Sequence, residues 1–132
     1  ANKVDKVAGK GLSTEDYTTT EKNKLAGLTV GITTAGWGTA TKTLALSDAN
    51  KLILCASSSD QTLTIPTHDS VPFPTGTMIT FLLESTYKVT FSGASGVTLT
   101  SIDSLVELAT QYGMASLIKI YANTWQLVGA LE

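Results

Sequence analysis

From residue 43 onward, apolar and polar residues alternate with a period of two, and clusters of turn-forming residues interrupt the alternation. This period places successive side chains on opposite faces of an extended chain. It predicts short strands over 43–46, 51–55, 61–65, 77–83, 87–91, 97–100, 105–108, 116–121 and 124–128. The breaks have identifiable chemistry. Ser47-Asp48-Ala49-Asn50 reads as a turn, and Gly93-Ala94-Ser95-Gly96 as another. Pro66 ends one strand, and Pro72 and Pro74 keep residues 67–76 out of any central strand, because proline has no ladder donor. Ala122-Asn123 suits a tight hairpin, since Asn tolerates positive φ. No helical period appears in this stretch. The expectation is a mainly β fold, an antiparallel β-sandwich or barrel-like domain over residues 43–132.

The first 28 residues follow no such rhythm. Their large apolar residues are Val4, Val7, Leu12, Tyr17, Leu25 and Leu28, and five of the nine lysines lie here. Thr18-Thr19-Thr20-Glu21 is a capping box, in which the Thr18 hydroxyl accepts from the Glu21 amide and the carboxylate reaches back. A turn or two of helix should follow through Ala26, with Gly27 as a left-handed stop. A helix this short is unstable alone in water, where roughly 12–15 residues are marginal. It must lean on another surface, a first indication of other chains. Residues 1–28 are thus expected to be a linker with a short helix. Residues 29–42, with Gly31, Gly36, Gly38 and Trp37 among threonines, read as an extended connector that joins the edge of the sheet.

Composition sharpens this picture. Only 15% of the 132 residues are charged, and Ser and Thr occupy most polar positions. Thr is β-branched and fits a half-exposed pleated surface. All nine basic residues are Lys, and the net charge is -2. Bidentate phosphate forks are therefore absent and no field attracts a polyanion, which argues against nucleic-acid binding. No apolar run reaches the 18 or more residues of a membrane-spanning helix, so membrane insertion is not expected. Cys55, alone in Leu52-Ile53-Leu54-Cys55-Ala56, has no disulfide partner and reads as a small buried hydrophobe. With one Cys and one His, no metal cluster is expected, nor any cofactor. The chain starts at Ala1 without a signal-like segment, which suggests a piece of a longer polypeptide.

Candidate chemistry is sparse. His68-Asp69-Ser70 superficially suggests a catalytic trio, but sequence neighbours rarely meet its geometry, and an exposed loop histidine is the expected reading. Asp48, Asp60, Asp69, Glu84, Asp103 and Glu107 fall mostly at loops and strand ends, where chance pairs of carboxylates are common. The Gly-rich stretches lack the lysine ending of a phosphate loop and read as turns. Trp125 alternates with Leu127 and reads as core. Trp37, flanked by glycines, reads first as a plug between subunits, with an internal core residue or a sugar-stacking platform as alternatives. Tyr112, in Gln111-Tyr112-Gly113, is a similar surface candidate. Trp37, His68 and Tyr112 are therefore the candidate receptor-contact or inter-subunit residues. No catalytic residue is assigned.

The run Val7-Ala8-Gly9-Lys10-Gly11-Leu12-Ser13, continued by Asp16-Tyr17-Thr18 and Glu21-Lys22-Asn23-Lys24-Leu25, closely resembles a segment that links modules in bacteriophage tail-fibre, baseplate and related virion proteins. Ala8 stands where such linkers commonly carry Pro. Residues 63–66, 73–80, 89–91, 96–99, 117–120 and 125–129 resemble, more loosely, a C-terminal module of the same fibres. The resemblance implies a non-enzymatic structural protein of the virion, on tail or capsid surface, that forms a homotrimer. Its N-terminal part would contact other virion proteins, and its loops would face a host cell-surface glycan or protein. Residues 57–60, 67–73 and 110–113 are the candidate contact loops. A capsid head-fibre or decoration protein is the alternative, and a polysaccharide depolymerase a more distant one, since such enzymes usually need a longer repetitive scaffold.

Overall fold

The computed structural model describes residues 18–27 and 31–132, in two separate compact units that divide after Gly31. In the first, α1 (Thr19–Ala26) is capped as its sequence dictates. The Glu21 amide donates to Thr18 Oγ1 at 3.2 Å, and the Thr18 amide donates to Glu21 Oε2 at 2.7 Å. These bonds to Thr18 hold the Glu21 carboxyl below the usual carboxylate range. Gly27 ends the helix in right-handed geometry, φ -84°, and not in the left-handed conformation expected of it. The rest of the fibre-like linker, 1–17 and 28–30, lies outside the described residues.

The second unit, Ile32–Glu132, is mainly β. Its strands are β1 (Thr33–Trp37), β2 (Thr41–Thr43), β3 (Lys51–Cys55), β4 (Gln61–Ile65), β5 (Met78–Leu83), β6 (Val89–Gly93), β7 (Thr98–Thr100), β8 (Glu107–Leu108), β9 (Met114–Tyr121) and β10 (Thr124–Gly129). They form two sheets, a six-stranded one ordered β1-β3-β5-β9-β10-β7 and a four-stranded one ordered β2-β4-β6-β8. Most of the expected strands are present. The one expected over 43–46 is replaced by β2, which ends at Thr43, and a single helical turn over Leu46–Asp48. The expected antiparallel pairing holds only in part. The β1–β3, β3–β5, β2–β4, β4–β6 and β7–β10 pairs are parallel. The antiparallel pairs are β5–β9, β9–β10 and β6–β8. The chain does not fold back on itself after β1, β3 or β5. Each time it crosses to the facing sheet, so that three successive wraps stack in parallel.

This topology also revises the domain boundary. Residues 29–42 contain β1 and the first two residues of β2, each strand at the edge of a sheet and paired along its whole length, so the β unit starts at Ile32 and not at 43. The core lies between the sheets and is mainly apolar: Ile53 and Cys55 from β3, Leu63 and Ile65 from β4, Phe81 and Leu83 from β5, Val89 and Phe91 from β6, Leu117 from β9, with Gln61 and Lys119 buried at its ends. Phe81 and Phe91 meet edge to face across the sheets with centroids 5.1 Å apart, a favoured aromatic arrangement. Gly129, at φ 142°, closes β10 tightly against β9; a Cβ there would stand 2.3 Å from the Met114 carbonyl oxygen.

Candidate interaction surfaces

Inward positions on all strands but β2 build one core, whereas outward positions build two different surfaces. On the four-stranded sheet the register aligns Thr41, Thr62, Thr90 and Glu107 in one row and Thr43, Thr64 and Ser92 in the next. This face is a lattice of hydroxyls, rimmed by the Lys88–Glu107 ion pair at 2.8 Å. The Lys88 ammonium is held above its ordinary pKa by that contact.

On the six-stranded sheet, the outward positions of one row are Thr34, Leu52, Thr80, Ser116 and Val128. The next row is Gly36, Leu54, Leu82 and Met114, and a third joins Met78, Ile118, Gln126 and Thr100. None of these outward residues is charged. Met78 and Met114 are each 45% exposed, and Leu52, Leu54, Leu82 and Ile118 are half-buried. At the corner where β1, β3 and β5 begin, Ile32, Asn50, Lys51, Met78 and Thr80 line a shallow, mostly apolar groove of about 170 Å³. Several polar side chains on the face bond one another. Thr80 and Ser116 share a 2.9 Å hydroxyl bond, and Thr100 Oγ1 donates to Gln126 Oε1 at 2.6 Å.

The residues that sequence reasoning singled out do not come together. Trp37 is not a surface plug. It is 4% exposed, packs into the core of its own domain, and donates from Nε1 to Thr39 Oγ1 at 3.0 Å. The reason is parity: Trp37 shares a face of β1 with Ala35, which packs on the core. Gln61 Nε2 completes that corner by donating to the carbonyl oxygens of Trp37 and Thr39.

His68 is half-buried and not an exposed loop residue. Its Nδ1 lies 2.7 Å from the ammonium of Lys119, which also donates to the Phe73 carbonyl oxygen at 2.7 Å and stands 5.9 Å from the centroid of the Trp125 ring. Among the described residues no carboxylate pairs with Lys119, and burial pushes its pKa down. With 1% of its surface exposed, this lysine is a clasp. It pins the proline-rich loop across one end of the sheets, aided by Asn123, whose Oδ1 accepts from the His68 amide at 2.8 Å. Asp69 and Ser70 lie exposed beside it, and the Ser70 hydroxyl is occupied by Thr67 Oγ1 at 3.1 Å.

Tyr112 is at the surface as expected, 72% exposed, with φ at 65°. It sits at the opposite end of the domain. Its amide donates to the Leu83 carbonyl oxygen, and neighbouring Gln111 donates to that of Glu84. The 57–60 loop shares this end, because Lys88 donates its amide to Asp60 Oδ1 and Glu84 donates to the Cys55 carbonyl oxygen. The three candidate contact loops thus divide, 57–60 and 110–113 at one end, 67–73 at the other.

Sequence reasoning missed Lys119 and the apolar outer face. The signal for both was present: residues 78–83 and 117–120 carry apolar groups at both parities, as strands buried on two sides do. Cys55 matches its expected burial, which pushes its thiol pKa up to about 12. No protein-family model matches the chain, and no curated protein matches it significantly.

Proposed function

We propose that this chain is a structural module of a bacteriophage virion fibre, of tail fibre or tail tip, which assembles as a homotrimer and presents loops to a host cell surface. The observation that carries this reading is the linker-like run from Val7 to Leu25, which resembles the joints between fibre modules. The character of the β unit supports it. Rigid two-sheet packing and an exterior of hydroxyls and uncharged apolar groups suit a part that must persist and be displayed. Attachment by such a module works through avidity: three joined copies of a weak site gain roughly 10²–10⁴ in apparent affinity when geometry lets them engage together. The 57–60 and 110–113 loops, with Tyr112 at the tip, offer one such display end, and the N-terminal part would face other virion proteins.

Two measurements test this. Light scattering on the purified chain should return three times the 13.8 kDa chain mass; a monomer at micromolar concentration overturns the reading. Gold-labelled antibody against the β unit should decorate tail fibres on intact particles. Label on the capsid would move the module to a head fibre, and label on no particle would remove it from the virion.

A further inference from the structure

We infer that the 67–73 loop is an acid-sensitive latch, closed while His68 is neutral and released when His68 takes up a proton. The inference does not depend on the fibre reading and adds a response of this domain to pH. Three observations carry it. First, the loop is tied to the sheets at one residue. Its inner bonds, from the Ser70 and Val71 amides to Thr67, shape the loop without attaching it. Among the described residues, only His68 hydrogen-bonds from 67–72 to the rest of the domain. Its amide donates to Asn123 Oδ1 at 2.8 Å, and its Nδ1 accepts from the Lys119 ammonium at 2.7 Å. Second, that ammonium has nowhere to go. Lys119 is 1% exposed, donates to the Phe73 carbonyl oxygen at 2.7 Å, and stands over the Trp125 ring. Third, no carboxylate is at hand to offset a second positive charge.

An ammonium donates and cannot accept, so Nδ1 must keep its lone pair and the imidazole hydrogen sits on Nε2. The pair thus carries one positive charge. A proton added to His68 replaces that lone pair with a second donor and sets two cations in contact, an arrangement that repels strongly away from water. The surrounding elements supply no counter-charge. The strands on either side of β9, β5 and β10, carry no charged residue, and neither do β4 and β7. In the hairpin, Asn123 is neutral. Asp69, on the loop itself, is exposed, and Tyr121, the next residue of the Lys119 parity on β9, is 70% exposed. Lys119 is fixed in the sheet, so the loop must yield. Val71 and Phe73 remain as its apolar anchors, Phe73 edge to face with Trp125 at 5.4 Å. The open loop binds one more proton than the closed one, so falling pH favours opening. Imidazole is the side chain that ordinarily changes charge between about pH 5 and 8, and the experiment spans that interval.

The test is hydrogen–deuterium exchange of the full chain, read by mass spectrometry at pH 7.5 and pH 5.5 and corrected for intrinsic rates. Peptides spanning 67–73 should lose about tenfold in protection at the lower pH, while those spanning 57–60 and 110–113, at the other end, keep theirs. His68→Asn offers Lys119 a carbonyl oxygen in place of Nδ1, an acceptor that does not titrate. In that variant the protection of 67–73 should be the same at both pH values. Equal protection of the parent loop at pH 7.5 and 5.5 overturns the inference. So does a loss that persists in His68→Asn, which would assign it to other groups, or one shared equally by the two loops at the far end, which would be general unfolding. None of these outcomes bears on the mass of the assembly, so the fibre reading stands or falls separately.

Discussion

The two sheets share one interior and differ on their outsides. Inward from β5 and β6 come Phe81 and Phe91, touching edge to face; outward from the same strands come Leu82 on one side and Thr90 and Ser92 on the other. Folding dictates the inward set, because only apolar groups of fitting volume fill a space closed to water. It leaves the outward set free. A threonine lattice and an apolar sheet face are equally compatible with the same core, so the core does not set the difference between them. Strand parity therefore separates the residues that make the fold from those that use it.

The sharpest way to break this division is to compare neighbours on one strand. Phe81→Ala should cost about 3–5 kcal/mol of unfolding free energy in a denaturant titration, the usual cost of emptying a buried aromatic site. A loss below about 1 kcal/mol would mean that the interior is not the main source of stability. Alkaline pH probes the same interior through Cys55. In the unfolded chain its thiol ionises near the ordinary value of 9.0, and in the folded domain only near about 12. Between these values the unfolded state binds fewer protons, so stability is intact below pH 9 and falls by up to about 1.4 kcal/mol per pH unit above it. Cys55→Ala should remove that slope in urea titrations at pH 8 to 11. An unchanged slope would place the thiol in water.

Smaller effects sharpen the outward half. Thr80→Ala deletes the hydroxyl bond to Ser116 and should cost about 0.5–1.5 kcal/mol, well below Phe81→Ala one position along the strand. Equal costs would erase the distinction between the two parities. Smallest of all, Thr62→Val on the hydroxyl face should change unfolding free energy by no more than about 0.5 kcal/mol, as is usual for surface positions. The values for Phe81→Ala, Thr80→Ala and Thr62→Val come from the same kind of denaturation curve, so these three variants can be ranked directly.

Much of this was legible in the chain. Residues 51–55 and 61–65 become β3 and β4 with those bounds, because turn residues bracket a clean alternation. The capping box at Thr18 is equally local and equally readable. Pairing was not. A five-residue connection such as that from Cys55 to Gln61 can return to the same sheet or turn a corner to the facing one, and period two looks identical in either case. Trp37 was misplaced for the same reason, since its glycine neighbours announce a turn without saying which side faces inward. Lys119 was hidden because Leu117, Ile118 and Ile120 surround it with apolar residues of both parities, and a lysine in such a strand is ordinarily read as pointing out. In this strand Ile118 and Ile120 point out, and the lysine is the inward residue.

The position of β9 has a consequence for how the domain is made. This strand lies in the middle of the six-stranded sheet, between β5 and β10, yet eight strands precede it in the chain. Until it emerges from the ribosome, β5 presents an unpaired edge with apolar side chains on both faces, a template for mispairing with other nascent chains. Its partners are distant in sequence, Phe81 pairing with Ala115, so closure is a slow, long-range event. Translation that halts before Met114 should yield insoluble polypeptide, because β5 then keeps its open edge.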